Sequence, residues 1–264
     1  MPSLITLTTD FGQSSPYVAA MKGVILSVNS EARIHDLTHA IRPQDVRHAS
    51  YFLAASVPYF PAGTIHVCVV DPGVGTERAI LLAEAGGQKL LAPDNGCLSN
   101  VLRGLGGAPI VRRVTEAKYW RHTVSATFHG RDIFAPVAGH LSRGIESARF
   151  GPPASHWLQI ETPVPNMTAN QIRGEVIFID DFGNLITNIP GEMVPHRPAA
   201  LSVGKKRLKA FQWVQTYAKA APGALVALIS SDGWLEIAQV GGSAARMLRG
   251  TVGVKVVVKP GNPD

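Results

Sequence analysis

Apolar positions along the chain fall into two textures. In the first half, short apolar runs alternate with stretches of helical spacing. Leu4-Ile-Thr-Leu-Thr-Thr reads as a strand that stops at Asp10-Phe-Gly. Val18, Met21, Val24, Ile25 and Val28 share one face of a helix spanning 17–28. A short strand begins at Ile34, and a helix is predicted over 43–60, with Pro43 near its start and Pro58 near its end. Thr64-Ile-His-Val-Cys-Val-Val is apolar enough to be a buried strand, ending at Asp71-Pro-Gly. Residues 79–85 and 89–92 read as a strand pair, and Asp94-Asn-Gly turns into a helix over 97–102. An extended segment is expected to close at Thr127 or Phe128, with Asp132 capping a helix over 133–142. Strands and helices in alternation predict an α/β layer around a mostly parallel sheet.

Near Phe150 the texture changes. Gly151-Pro-Pro and Pro163-Val-Pro-Asn are linker-like. Beyond Gln171 the apolar runs are short and turns recur about every ten residues, which predicts a small all-β sandwich or barrel. The expected organisation is an α/β domain over 1–165 and a smaller barrel-like domain over 170–264.

Composition narrows the class. The 264 residues are 45% apolar and 17% charged, enough apolar material for a core and against general disorder. No apolar run approaches the ~20 residues of a membrane span, and Met1–Asp10 lacks the pattern of a signal peptide. Cys68 and Cys97 are too few for a disulfide scaffold, so both are expected to be core thiols in a cytoplasmic protein. The net charge of +6 resides entirely in 201–264, densest at Gly204-Lys-Lys-Arg-Leu-Lys. That run reads as a solvated hairpin turn rather than a nucleic-acid footprint, since no aromatic residues interleave it.

Candidate chemistry gathers at three segments read as strand ends: Thr8-Thr-Asp10-Phe-Gly12, Val70-Asp71-Pro-Gly-Val-Gly-Thr-Glu-Arg78 and Phe128-His129-Gly-Arg-Asp132. Open α/β sheets bind ligands beyond the carboxyl ends of their strands. Asp10 either accepts from a ribose diol or braces the following turn. Pro72 and two glycines force a tight turn after Asp71, and Arg78 lies within reach if the loop folds back. The pair is a salt bridge that braces the loop or part of a reacting site. His129 beside Gly130 suits a general base, or serves only structure. In the second half, Phe182 and Trp234 could stack on a base and Asn184 could read an amino or amide edge, although Asp-Phe-Gly-Asn is also an ordinary turn. The nine histidines contain no H-E-x-x-H spacing, and His35 and His39 fall in a loop, so no metal site is predicted. Phosphate-binding glycine motifs and a nucleophile elbow are missing, which disfavours a kinase, a dehydrogenase or a serine hydrolase.

Six segments together resemble one family: Thr8-Thr-Asp-Phe-Gly, Val70-Asp-Pro-Gly-Val-Gly-Thr, Ala92-Pro-Asp-Asn-Gly, Phe128-His-Gly-Arg-Asp, Asp181-Phe-Gly-Asn-Leu-Ile-Thr-Asn188 and Gly233-Trp-Leu-Glu-Ile-Ala238. The chain resembles, over nearly its whole length, the S-adenosyl-L-methionine (SAM) hydroxide adenosyltransferases, relatives of fluorinating and chlorinating enzymes. The resemblance implies an α/β domain followed by a β-barrel-like domain. It also implies a homotrimer with sites between subunits, and hydrolysis of SAM to adenosine and L-methionine without cofactor or metal. It implies a catalytic set of Asp71, Arg78 and His129, and Asp10 on the ribose diol. Tyr217 and Phe182 are implied against adenine, Asn184 reading it, and Asp180, Ser231 and Glu236 near the methionine end. Two departures loosen the ligand contacts: Gln44 replaces a tryptophan, and Gln239-Val240 replaces a polar pair. The halogenating relatives carry Tyr at the position of Asp71 and a hydroxyl at that of Gly130, so this chain is expected to use water. A halide transferase, a non-catalytic SAM or adenosine sensor and a nucleic-acid binder are the alternatives.

Overall fold

A computed structural model describes residues 4–195, 198–208 and 210–260. The chain divides into two compact units, Met1–Glu161 and Thr162–Asp264.

The first unit contains, in chain order, β1 (Leu4–Thr9), α1 (Tyr17–Val28), β2 (Arg33–Thr38), α2 (Val46–Ser56), β3 (Ile65–Val69), β4 (Ile80–Ala85), β5 (Gln88–Pro93), α3 (Ser99–Gly104), β6 (Ile110–Arg113) and α4 (Ala135–Ser142). Its sheet has the order β2-β1-β3-β5-β4-β6. The ladders from β2 to β5 are parallel, and β4 pairs antiparallel with β5 and β6. Every residue of β3 is buried because helices cover both faces. Ile65, Val67 and Val69 face α1 and α4, packing with Met21, Ile25, Val137 and Leu141. Cys68 and Val70 face α2 and α3, packing with Leu53, Val101 and Leu102. Each fully buried aliphatic side chain of this kind contributes about 1.5–3 kcal/mol. Cys68 and Cys97 are free and buried in the second of these cores.

The second unit contains β7 (Asn166–Thr168), β8 (Gln171–Ile179), β9 (Leu185–Pro190), β10 (Pro198–Val203), β11 (Lys206–Leu208), β12 (Gln212–Trp213), β13 (Leu225–Ile229), β14 (Trp234–Gln239), α5 (Ala244–Leu248) and β15 (Lys255–Pro260). One curled sheet runs β11-β10-β15-β8-β9-β14-β13-β12, with β7 beside β8. All its ladders are antiparallel except β12–β13. This half-barrel closes over Val176, Leu185, Leu201, Leu235, Ile237 and Val256. The basic run 204–208 is the β10–β11 turn and edge strand, as its hairpin reading expects. Lys206 Nζ donates to the Met247 carbonyl at 3.0 Å. Lys209 lies outside the described residues.

Local differences from the expected elements have specific causes. The helix predicted over 43–60 begins only at Val46, because Gln44 adopts a left-handed φ of 64° and Asp45 takes the cap, accepting from the His48 N–H at 2.9 Å. It ends at Ser56 and passes into a 3-10 turn containing Pro58, which has no N–H to give. The helix expected over 97–102 starts at Ser99. Phe128 closes no strand: 114–129 holds only a 3-10 turn at Ala117–Tyr119, and a π-turn over Gly130–Phe134 leads into α4. Asp132 is therefore no cap; it sits inside that turn. Gly151-Pro-Pro is no free linker either, since the Arg113 N–H donates to the Pro152 carbonyl at 3.0 Å and Ala154 to Val111 at 2.8 Å.

Candidate active site

In the first unit, the carboxyl ends of β1 and β3 and the start of the π-turn present Asp10, Asp71 and His129. The Asp71 side chain is 4% exposed and that of Arg78 is 11% exposed. The 71–78 loop folds back through turns at Val74 and Thr76, whose N–H groups donate to the Asp71 and Gly73 carbonyls. Arg78 thereby reaches Asp71: Nε lies 3.0 Å from both carboxylate oxygens and Nη2 lies 2.5 Å from Oδ2. The same Nη2 lies 2.8 Å from His129 Nδ1. A guanidinium has only donors, so Nδ1 accepts, and the neutral imidazole carries its proton on Nε2. Burial lowers the His129 pKa and the Arg78 charge lowers it further, outweighing the carboxylates Asp71 and Asp132. The end of β3 is also braced by Asn95, whose Nδ2 donates to the Val70 carbonyl at 2.8 Å.

Asp10 follows β1 and accepts from the Gln44 N–H through Oδ2 at 2.8 Å. The left-handed backbone at Gln44 is what turns that N–H toward it. This leaves Oδ1 for another partner. Phe11, Tyr17 and Phe128 form an edge-to-face trio nearby, with ring centroids 5.1–6.0 Å apart.

The second unit has polar side chains along β14 and in the turn between β8 and β9 beside it. Asp180 Oδ1 accepts from the Asn184 N–H at 2.8 Å, and Oδ2 from Asn184 Nδ2 at 2.9 Å. The turn between them needs glycine at 183: φ is 83°, and a Cβ there would meet Ser243 Oγ at 2.0 Å. Asn184 is buried, whereas Phe182 is 77% exposed at the tip of the turn. Tyr217 donates its hydroxyl to Glu236 Oε1 at 2.6 Å. Burial raises the Glu236 pKa, and the charges of Asp180 and Asp232 add to that rise while the Tyr217 bond opposes it. Tyr217 is itself raised, by burial and by Glu236. Ser231 lies in the exposed turn between β13 and β14, beside Asp232 and toward the Pro190 end of β9, away from the Asp180–Asn184 turn at its Leu185 end. These side chains make the region acidic, suited to an ammonium group, with an aromatic ring fixed by its hydroxyl.

Sequence reasoning did not single out the Gln44 backbone, the Asn95 brace or the Tyr217–Glu236 bond. Asn95 carried a signal, standing in Ala92-Pro-Asp-Asn-Gly; the other two arise from long-range folding. Among the described residues, no group of three His, Cys, Asp or Glu side chains is placed to hold a metal ion, and no helix is long and apolar enough to cross a membrane.

Two family descriptions match the chain: the SAM hydroxide adenosyltransferase N-terminal domain over residues 5–151, and the C-terminal domain over 174–257. An (R)-S-adenosyl-L-methionine hydrolase from Salinispora tropica is 39% identical over 97% of this chain and 98% of its own. A fluorinase from Nocardia brasiliensis is more distant, 27% identical over 98% of this chain and 97% of its own. The crystal structure of an uncharacterized conserved protein from Thermotoga maritima superposes with a TM-score of 0.90 at 34% identity, covering 97% of this chain and 99% of that one.

Proposed function

The chain belongs to the SAM hydroxide adenosyltransferase family, and from that premise we propose that it hydrolyses SAM to adenosine and L-methionine through Asp71, Arg78 and His129. The observation that carries this reading is the part-buried Asp71–Arg78–His129 chain of hydrogen bonds at the end of a parallel strand. The sulfonium makes methionine a good leaving group, so C5′ requires only a positioned nucleophile in line, and positioning alone contributes as much as ~7–11 kcal/mol to such a step. Water attacks C5′, the C5′–S bond breaks with its electron pair leaving on methionine sulfur, and the new C–O oxygen sheds a proton. That proton becomes strongly acidic only as the C–O bond forms, so a carboxylate suffices as its acceptor. Asp71 Oδ1 takes it, having one Arg78 donor where Oδ2 has two. His129 presents Nε2–H to the water oxygen and fixes its lone pair toward C5′, and Arg78 holds both partners. No cofactor enters this sequence.

Asp10 accepts from the ribose diol. Asn184 and Phe182 hold adenine together with the Tyr217 ring, and Asp180, Ser231 and Glu236 meet the methionine end, where the acidic character suits the ammonium. We infer a homotrimer with sites shared between subunits, acting in the cytoplasm where SAM is used. The relatives named as hydrolases carry an R descriptor for the sulfonium, and this chain is expected to prefer that epimer. A buried carboxylate at position 71 repels halide, which disfavours halide transfer. Gly130 further lacks a hydroxyl, and a Cβ there would lie 3.2 Å from Met21 Sδ and 3.4 Å from Val69.

The test separates the two epimers of SAM, incubates each with wild type and Asp71→Asn in chloride buffer, and resolves products by chromatography. Equal adenosine and methionine from the R epimer, falling by about 100-fold or more in the variant, support the reading. A 5′-chloro product would assign the protein to halide transfer, and tight binding without turnover would make it a sensor.

A further inference from the structure

We propose that Asp132 is a positioning residue for His129, a role that rests on the reading of His129 given above. Asp132 is fully buried, and its carboxylate collects donors from both sides of that histidine. Oδ1 accepts from Arg131 Nε at 2.7 Å and Arg121 Nη1 at 3.2 Å. Oδ2 accepts from Arg131 Nη2 at 2.9 Å and the Ser125 N–H at 2.9 Å. Its backbone closes the same ring: the carbonyl accepts from Arg121 N–H at 2.9 Å, and the N–H donates to the Phe128 carbonyl at 3.2 Å. Residues 121–131 are thereby gathered around one anion, and His129 stands inside that ring. Burial alone would raise the Asp132 pKa, but Arg131, the Ser125 N–H and Arg121 together lower it, so the group is ionised.

Two contacts transmit the ring to the reacting groups. The Arg131 guanidinium lies 4.9 Å over the Phe128 ring, next to His129. On the other side, the Ala126 carbonyl packs so closely on Gly75 (φ 81°) that a Cβ there would lie 2.3 Å from it. Gly75 belongs to the loop that carries Asp71 and Arg78. Asp132 therefore fixes both the loop that bears His129 and its distance from the Asp71–Arg78 pair. A helix cap would need only a partly solvated acceptor; a fully buried carboxylate with four donors is far more than a cap requires.

Steady-state kinetics on SAM with the full chain decide the matter in a double-mutant cycle of Asp132→Asn and His129→Ala. If Asp132 acts through His129, Asp132→Asn lowers kcat by about tenfold or more, leaves KM within about twofold, and changes nothing further in the His129→Ala background. Losses that multiply in the double variant, or an unchanged kcat in Asp132→Asn, overturn the positioning role while leaving the His129 reading intact. Full activity in His129→Ala removes that reading and this proposal with it. Should Asp132→Asn not fold by circular dichroism, Arg121→Gln enters the same cycle, since it removes only the 3.2 Å donor from a half-exposed side chain. A kcat loss of about twofold to fivefold that vanishes beside His129→Ala supports the proposal, and an equal loss in both backgrounds overturns it.

Discussion

Arg78 Nη2 stands 2.5 Å from Asp71 Oδ2 and 2.8 Å from His129 Nδ1, so one guanidinium nitrogen donates in two directions. Its consequence is that the one lone pair of neutral His129 is already engaged. The imidazole acts as a donor through Nε2–H, and protonating it would set two N–H groups against each other at Nδ1.

The pH dependence follows. The His129 pKa is lowered by burial and Arg78, so the ring stays neutral throughout the neutral range. kcat is expected to be flat above pH ~6.5, the ordinary imidazole value, and to fall only in acid as His129 gains a proton. His129→Gln keeps an N–H but does not titrate, and its kcat–pH profile should lack that acid limb. A limb of the same midpoint in the variant would assign it to another group.

Tyr217 donates its hydroxyl to the Glu236 carboxylate at 2.6 Å. Tyr217→Phe deprives a buried acceptor of its partner, at a cost of about 1–3 kcal/mol. Because the Tyr217 bond opposes the rise in the Glu236 pKa, its loss lets that pKa climb further, and Glu236 is neutralised at higher pH. KM for SAM should rise by about fivefold or more, and more steeply as pH falls, with kcat little changed. Steady-state assays between pH 6 and 9 would read this directly.

The Asp180–Asn184 turn has no room for a side chain at 183. Gly183→Ala must either abandon the left-handed φ or displace Ser243, costing of order 1–3 kcal/mol. Asn184 would lose its alignment on Asp180, and calorimetric affinity for adenosine should drop by about tenfold with a lowered Tm. Wild-type affinity in this variant would remove Asn184 from adenine recognition.

His66 in β3 is 1% exposed, and its Nδ1 lies 2.7 Å from Thr6 Oγ1. Burial lowers its pKa to about 4. The folded state therefore resists a proton that the unfolded chain accepts near 6.5, and stability present above pH 6.5 is lost as pH falls toward 4. The loss approaches about 3 kcal/mol. Urea unfolding from pH 7 to pH 4.5 should show this slope, reduced in His66→Gln.

Much of the architecture was legible where the apolar period was unbroken. Residues 17–28 form the expected helix because Met21 and Ile25 mark its buried face. The run 64–70 is a buried strand because helices cover both of its faces. What escaped was set by single backbone states or by distant partners. The start of α2 depends on Gln44 entering a left-handed conformation to serve Asp10. Residues 114–129 look extended and polar in sequence, yet they curl because Asp132 collects Arg121, Ser125 and Arg131. For the site, Pro72 and the loop glycines marked a tight turn after Asp71 that would put Arg78 within reach if the loop folded back, and the loop does fold back. The Tyr217–Glu236 bond joins residues nineteen positions apart on different elements, and local pattern carries no trace of it.

The short edge strand β11 has a colloidal consequence. A curled sheet ends there with backbone groups that could template another chain, and edges of this kind drive aggregation when left plain. Lys206 and Arg207 are exposed on that strand, directly after Lys205 in its turn. An incoming strand would have to desolvate this positive row. The densest charge in the chain thus stands on the sheet edge where an incoming strand would pair, the kind of placement that blunts an edge against further pairing.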